Sequence, residues 1–314
     1  ERPAPAPRAL PPLPAISAVE VAIPSLTDLG ITHNPRLPRG GERSARERLA
    51  RFLEGPAPEY ATLRDRMDVE GTSRLSQDLK FGTISPRAVY TAVRSTFNES
   101  KDAVKYLDEL VWREFAHATL WDRPELLQRP FRPQWEGFPW DDDEASWAAW
   151  TAGTTGYPVV DASARQLLGE GYVHNRARMI SASFLTKDLL IDFRKGEAHY
   201  LRWLVDGDWA QNDLGWQWAT GCGCDAQPYF RIFNPVSQGE RFDPSGDYVR
   251  RWVPELGKMP AKWIHRPWEA PSAVLRDAGV ELGRSYPLPI VDHAEARKRF
   301  LMIAESHLGR GARS

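Results

Sequence analysis

SKDAVKYLDELVWREFAHATL, residues 100–120, decides the fold class. Val104, Leu107, Leu110, Val111 and Phe115 recur at the three- and four-residue spacing of one helix face. The pattern predicts a long helix with those five side chains buried. Upstream, SPRAVYTAVRSTF (85–97) puts Val89, Ala92 and Val93 at helical spacing behind Ser85 and Pro86, both start signals. GERSARERLARFLEG (41–55) predicts a further helix closed by Gly55. Downstream, a Pro- and Trp-rich loop over about 122–143 precedes ARQLLGEG, NRARMISASFLTKDLLIDF and GEAHYLRWLVDG, which read as three more helices. No series of four or five alternating strand segments appears, so the chain is predicted to be mainly α.

The composition narrows the function classes. The 314 residues suffice for a sizeable core, and 42% hydrophobic with 26% charged residues is an ordinary globular balance. Residues 1–38 open ERPAPAPRALPPLPAI and sustain no period, which predicts an interdomain-type linker before a helical domain over 39–314. A net charge of −1 predicts no global attraction to nucleic acid, although a local basic rim remains compatible with it. No apolar run approaches the roughly 20 residues of a membrane span, and no signal peptide is visible. Cys222 and Cys224 are too few for a disulfide framework or a closed metal site, so reduced thiols and no metal are expected. Serine-hydrolase, P-loop and zinc-protease motifs are missing from the sequence. Thirteen tryptophans, by contrast, are many for this length.

Five dense strings remain: EGTSRLSQDLKFGTISPR (70–87), DELVWREF (108–115), TGYPVVDASARQL (155–167), HNRARMISASFLTKDLLIDF (174–193) and the run from DGDWAQNDLGWQW to VRRWVPEL (206–256). Together they resemble the catalytic domain of DNA photolyases and cryptochromes, and most of all the cyclobutane pyrimidine dimer photolyases. The resemblance runs from about Gly41 to His293 in the family's order and close to its spacing. It implies an all-helical domain enclosing FAD, active in its reduced anionic form. The implied activity is light-driven carbon–carbon lyase repair of pyrimidine dimers in DNA. A blue-light photoreceptor cryptochrome without repair is the alternative.

The same resemblance assigns residues. Tyr60 and the turn Thr72, Ser73, Arg74, Leu75 and Ser76 would hold the FAD diphosphate and its surroundings, with Arg113 adding positive charge. Arg178 and Asp206 would face each other beside the isoalloxazine ring, with Asp208 nearby and Asn212 opposite flavin N5. On the substrate side, Trp112 and Trp218 would cradle the flipped dimer. Glu109 would bond its carbonyl edge as a protonated or proton-sharing acid, and Asn175 and Met179 would complete the pocket. Arg64 and Arg176 would contact DNA phosphates. Taken singly, these residues read as helix caps, turn formers, core aromatics or solvated charges; their joint order carries the assignment. Asn212, where signalling cryptochromes of plants carry Asp, favours repair.

Two departures stand out. The family's electron relay usually runs through three tryptophans. Trp216 and Trp140 match its inner and outer members, but the middle position is Phe193, whose ring is far harder to oxidise. Photoreduction is therefore expected to be slow or to bypass Phe193 through another Trp or Tyr. The second departure is that the chain starts in what resembles the interdomain linker, so no antenna chromophore is expected on these residues. A cytoplasmic, bacterial-type monomer with dimer-containing DNA as its partner completes the expectation.

Overall fold

The computed structural model describes residues 23–309, and among these every regular element is helical. The expectation for residues 1–22 lies outside the described residues. Four helices come first: α1 (Glu42–Glu54), α2 (Tyr60–Leu63), α3 (Ser76–Phe81) and α4 (Pro86–Phe97). The long α5 (Lys101–Asp122) follows, then α6 (Glu144–Ala152), α7 (Pro158–Glu170), α8 (Asn175–Ser183), α9 (Phe193–Trp203) and α10 (Trp209–Thr220). The chain ends through α11 (Pro235–Phe242), α12 (Asp247–Trp252), α13 (Ala261–Ile264), α14 (Ser272–Ala278) and α15 (His293–Leu308).

Side-chain caps start α5 and, as the sequence predicts, α4. Ser100 Oγ accepts from Ala103 N at 3.2 Å, and Ser85 Oγ accepts from Ala88 N at 3.1 Å. Two cores result. The smaller joins α1, α2, α4 and α5 through Phe52, Tyr60, Val89, Val93, Tyr106 and Leu107. The larger is built on Trp150, Phe184, Tyr200, Trp216, Tyr248 and Phe300. Because α5 belongs to the small core and also packs on α10, it bridges the two and leaves a cavity between them.

Two helix expectations need correction. On α5, Leu107 and Leu110 are buried, but Val104, Val111 and Phe115 are 44%, 63% and 41% exposed. The inner stripe is Ala103, Tyr106, Leu107, Leu110 and Ala116 instead. It is rotated because Tyr106, Glu109 and Arg113 must reach the cavity. The second correction concerns 174–193, which is not one helix. After α8 the chain forms a single π-helical stretch, Phe184–Asp188, and Leu190 adopts a left-handed φ of 55°. Asp192 then caps α9 by accepting from Arg194 N at 2.9 Å, so Phe193 opens the next helix. Buried Lys187 fixes the break by donating to Arg231 O at 2.9 Å, while Asp188 meets His293 at 2.5 Å.

His174 caps α8, its Nδ1 accepting from Arg176 N at 3.1 Å. Burial pushes its pKa down to about 4, with nearby Asp65 opposing the shift. Between that value and the ordinary 6.5 the unfolded chain binds a proton that the folded chain rejects, so stability falls as pH drops through this window. His174→Asn keeps a capping side chain and removes the titration. Wild type should therefore lose up to about 3 kcal/mol relative to the variant between pH 7 and pH 4, read from urea unfolding. Parallel pH profiles would rule this out.

Candidate cofactor and substrate site

The floor of the cavity is the turn between α2 and α3. Gly71 passes so close to Leu63 that a Cβ there would lie 2.5 Å from the Leu63 carbonyl oxygen. Arg74 holds a left-handed φ of 51°, a strained choice for a non-glycine residue. The strain is held by its guanidinium stacked 3.9 Å over Tyr172 and by an ion pair with Glu170 at 3.1 Å. Gln77 Nε2 also donates to Arg74 O at 2.6 Å. This geometry brings Thr72, Ser73, Arg74, Leu75 and Ser76 together along the cavity wall. The hydroxyls are not spent on ordinary capping. The cap of α3 is Leu75, with no side-chain bond, and Ser73 Oγ accepts from Tyr106 OH at 3.0 Å. Tyr60 is buried beside Tyr106, their rings edge to face at 5.1 Å.

The opposite wall comes from α8, α10 and the turn before α10. Arg178 Nη2 donates to both Asp206 oxygens, at 3.0 and 2.7 Å, and its Nε donates to Val173 O at 2.8 Å. Its Nη1 makes no protein hydrogen bond among the described residues, yet Arg178 lines the cavity. Asp208 caps α10 by accepting from Gln211 N at 3.0 Å. One turn on, Asn212 Nδ2 donates to Glu197 O at 3.0 Å, which leaves Oδ1 free on a side chain that lines the cavity. Gly215 also lines it, and a Cβ there would meet no atom within 4 Å. Trp216 closes this wall against Gly196 of α9. The enclosed volume is about 330 Å³, with Arg113 on the α5 side.

The substrate-side residues divide. Glu109, Asn175 and Met179 line the same cavity, and Asn175 Nδ2 sits 3.8 Å from Met179 Sδ. Trp112, 49% exposed, and half-buried Trp218 do not line it. Glu109 is not an isolated acid, because Arg64 donates to its Oε1 and Lys105 lies 3.8 Å away. Arg176 pairs with Asp65 at 2.7 Å and stacks 4.3 Å over Phe242. Both arginines expected at phosphates are thus engaged with carboxylates in this structure. Tyr106, Tyr172, Tyr200, Gln211 and Gly215 also line the cavity and were not singled out from the sequence. Helix spacing could have found two of them: Tyr106 precedes Glu109 by three and Arg113 by seven, and Gly215 follows Asn212 by three.

The outer aromatics are arranged differently from a linear relay. Phe193 is buried at the start of α9. Trp140 meets Phe138 at 4.4 Å with the rings tilted by 47°, and stacks with Trp135 at 6.2 Å. The rings in contact with Trp216 are Tyr200 at 5.2 Å and Trp150 at 6.1 Å.

Comparison with known proteins fits this geometry. Residues 106–306 match the pattern of the FAD binding domain of DNA photolyase. The chain belongs to that family. It is 52% identical over 263 residues to a deoxyribodipyrimidine photo-lyase of Agrobacterium fabrum, covering 83% of this chain and 55% of that protein. With the deoxyribodipyrimidine photo-lyase of Escherichia coli it shares 46% identity, covering 84% of this chain and 56% of the relative. The chain therefore spans a little over half the length of these curated relatives. Among solved structures, a bacterial class III photolyase from Agrobacterium tumefaciens superposes with a TM-score of 0.82 at 51% identity, covering 85% of this chain and 56% of that one. A Synechocystis cryptochrome reaches 0.83 at 32%, covering 91% and 61%. No described helix is long and apolar enough to cross a membrane, and no described cluster of His, Cys, Asp and Glu could hold a metal ion.

Gly196 tests how tightly this wall is packed. A Cβ there would lie 2.3 Å from Trp216 Cη2 and 2.6 Å from Leu185 Cδ2. Helix propensity favours alanine by about 1 kcal/mol, whereas overpacking costs about 1–3 kcal/mol. With both neighbours buried the overlap should win. Gly196→Ala is expected to destabilise the chain by about 1 kcal/mol in chemical denaturation; a stabilised variant would show that Trp216 is loosely held.

Proposed function

We propose that the chain binds FAD in this cavity and uses it, in light, to split cyclobutane pyrimidine dimers in DNA. The observation that carries the proposal is that residues of both kinds meet around one cavity. Arg178, Asp206 and Asn212 line it together with Glu109, Asn175 and Met179. The donor set fits the cofactor. The Thr72, Ser73 and Ser76 hydroxyls and the Arg113 guanidinium suit a diphosphate, and the open space at Gly215 admits a flat ring close to the backbone. When bound and reduced, the group supplies a light-excited electron that opens the cyclobutane ring and is recovered afterwards.

The chain's own residues set the conditions. Arg178, which lines the cavity, would favour an anionic ring there, while Asp206 fixes its position. Asn212 offers Oδ1 to a ring N–H, its amide being held by the Glu197 carbonyl. Glu109, which lines the cavity and is bonded by Arg64, would meet the carbonyl edge of the pyrimidines by sharing a proton with it. Trp112 on α5 and Trp218 on α10 are partly exposed aromatic rings against which a flipped dimer would rest. Dimer-containing DNA is the proposed partner, held through a salt-sensitive basic rim by a monomer. The only chromophore assigned to these residues is the flavin. The similarity to a cryptochrome supports a second reading, a photoreceptor that holds the flavin and repairs nothing.

Repair decides between them. Chemically reduced, FAD-loaded chain should restore intact thymines in a dimer-containing oligonucleotide under blue light and not in darkness. Glu109→Gln should lower the light-driven yield at least several-fold with FAD retained. No repair by a chain that holds FAD and binds the oligonucleotide would favour the photoreceptor.

A further inference from the structure

We propose that Gln166 on α7 is a positioning residue that ties two walls of the cavity together and so governs how long FAD stays bound. The proposal rests on the cavity being the FAD site. Gln166 does not itself line the cavity, and it is only 5% exposed. A buried amide costs free energy unless its polar atoms are used, and here both ends of the side chain are. Its Oε1 accepts from Tyr248 OH on α12 at 2.8 Å and from the backbone N of His174 at 3.4 Å. Its Nε2 donates to Glu170 Oε1, one turn along α7, at 2.7 Å. Two donors at one end and a carboxylate at the other fix the orientation of the amide. Burial pushes the Tyr248 pKa well above its ordinary value, so the hydroxyl keeps the proton it donates.

Each end of the amide leads to a different wall. From Nε2 the path runs through Glu170, whose Oε1 also accepts from Arg74 Nη1 and Nη2 at 3.1 and 3.2 Å. Arg74 holds the left-handed conformation of the turn that brings Thr72, Ser73 and Ser76 to the cavity. Such a conformation persists only while its surroundings enforce it, and Gln166 keeps Glu170 in place to do so. From Oε1 the path runs to His174, the N-cap of α8, whose carbonyl accepts from Arg178 N at 3.0 Å. The hold on His174 N therefore sets where α8 begins, and with it where Arg178 meets Asp206. One amide thus constrains the turn suited to a diphosphate and the arginine suited to an anionic ring. An apolar side chain of similar size could fill this place in the core but could make neither link. A fully satisfied buried network of this kind rigidifies what it joins.

The test is the rate at which bound FAD leaves the full chain on dilution, read by the recovery of flavin fluorescence, with urea unfolding measured alongside. Gln166→Glu keeps an acceptor for Tyr248 and His174 but sets a second carboxylate against Glu170. It should speed release roughly tenfold. Adding Glu170→Gln exchanges the two side chains and restores a donor–acceptor pair between positions 166 and 170. The exchange should bring the rate back to within about threefold of wild type. Tyr248→Phe deletes one donor without adding charge and should speed release about threefold. A merely structural role predicts that release follows the urea midpoint and that the exchange rescues nothing. Unchanged release in Gln166→Glu, or an exchange that releases FAD as fast as the single variant, would overturn the positioning role. Should Gln166→Glu fail to fold, Tyr248→Phe carries the test, and wild-type release from it would overturn the role. A folded wild-type chain that holds no FAD would remove the cofactor assignment and this role together, whereas bound FAD with unaffected variants removes the role alone.

Discussion

The ion pair between Arg178 and Asp206 is the constraint on which the site depends. Asp206 is almost wholly buried, and a carboxylate without a partner there would cost several kcal/mol. Its partner comes from α8, while Asp206 itself stands in the turn between α9 and α10. The pair therefore sets how the helix carrying Asn175 and Met179 meets the helices carrying Asn212 and Trp216. Arg178 Nε is used on the Val173 carbonyl and Nη2 on Asp206, so Nη1 alone has no protein hydrogen bond among the described residues. A guanidinium so held is a fixed charge rather than a mobile one, and that suits an anionic ligand. Buried ion pairs are weak stabilisers in general, so its place in the wall of a cavity is better explained by function than by stability.

The wider fold serves this arrangement. The π-helical stretch after α8 and the left-handed Leu190 let the chain turn into α9 without lengthening α8. That turn buries Lys187 and Asp188, each satisfied by a specific partner in Arg231 and His293. The absence of a side chain at Gly196 then admits Trp216 against α9. A local irregularity, a buried charge and a glycine thus combine to place one indole at the cavity wall.

The helical class was legible because apolar spacing and capping residues agree along most of the chain. The registers on α5 were less so: Val104, Val111 and Phe115 are apolar yet exposed, since the cavity claims the neighbouring stripe for polar side chains. Periodicity alone cannot separate a core face from a site face. Nor could it show the break at 184–193, where every residue through Phe193 is compatible with one helix and tertiary packing decides otherwise. The site residues came from the joint order of five strings, and the structure brings the cofactor-side set to one cavity. What the strings did not carry was pairing: that Arg64 meets Glu109, that Arg176 meets Asp65, and that Trp216 meets Trp150 rather than Phe193. Those contacts join residues 45 to 111 positions apart and depend on the packing of whole helices.

The most direct measurement is a titration of the purified chain with FAD, followed by flavin fluorescence and absorbance, beside the same titration of Asp206→Asn. If Arg178, held by Asp206, organises a flavin site, the wild-type chain binds about one FAD per chain and the variant binds at least tenfold more weakly. A folded wild-type chain that takes up no FAD, or a variant that binds it equally well, would contradict that organisation.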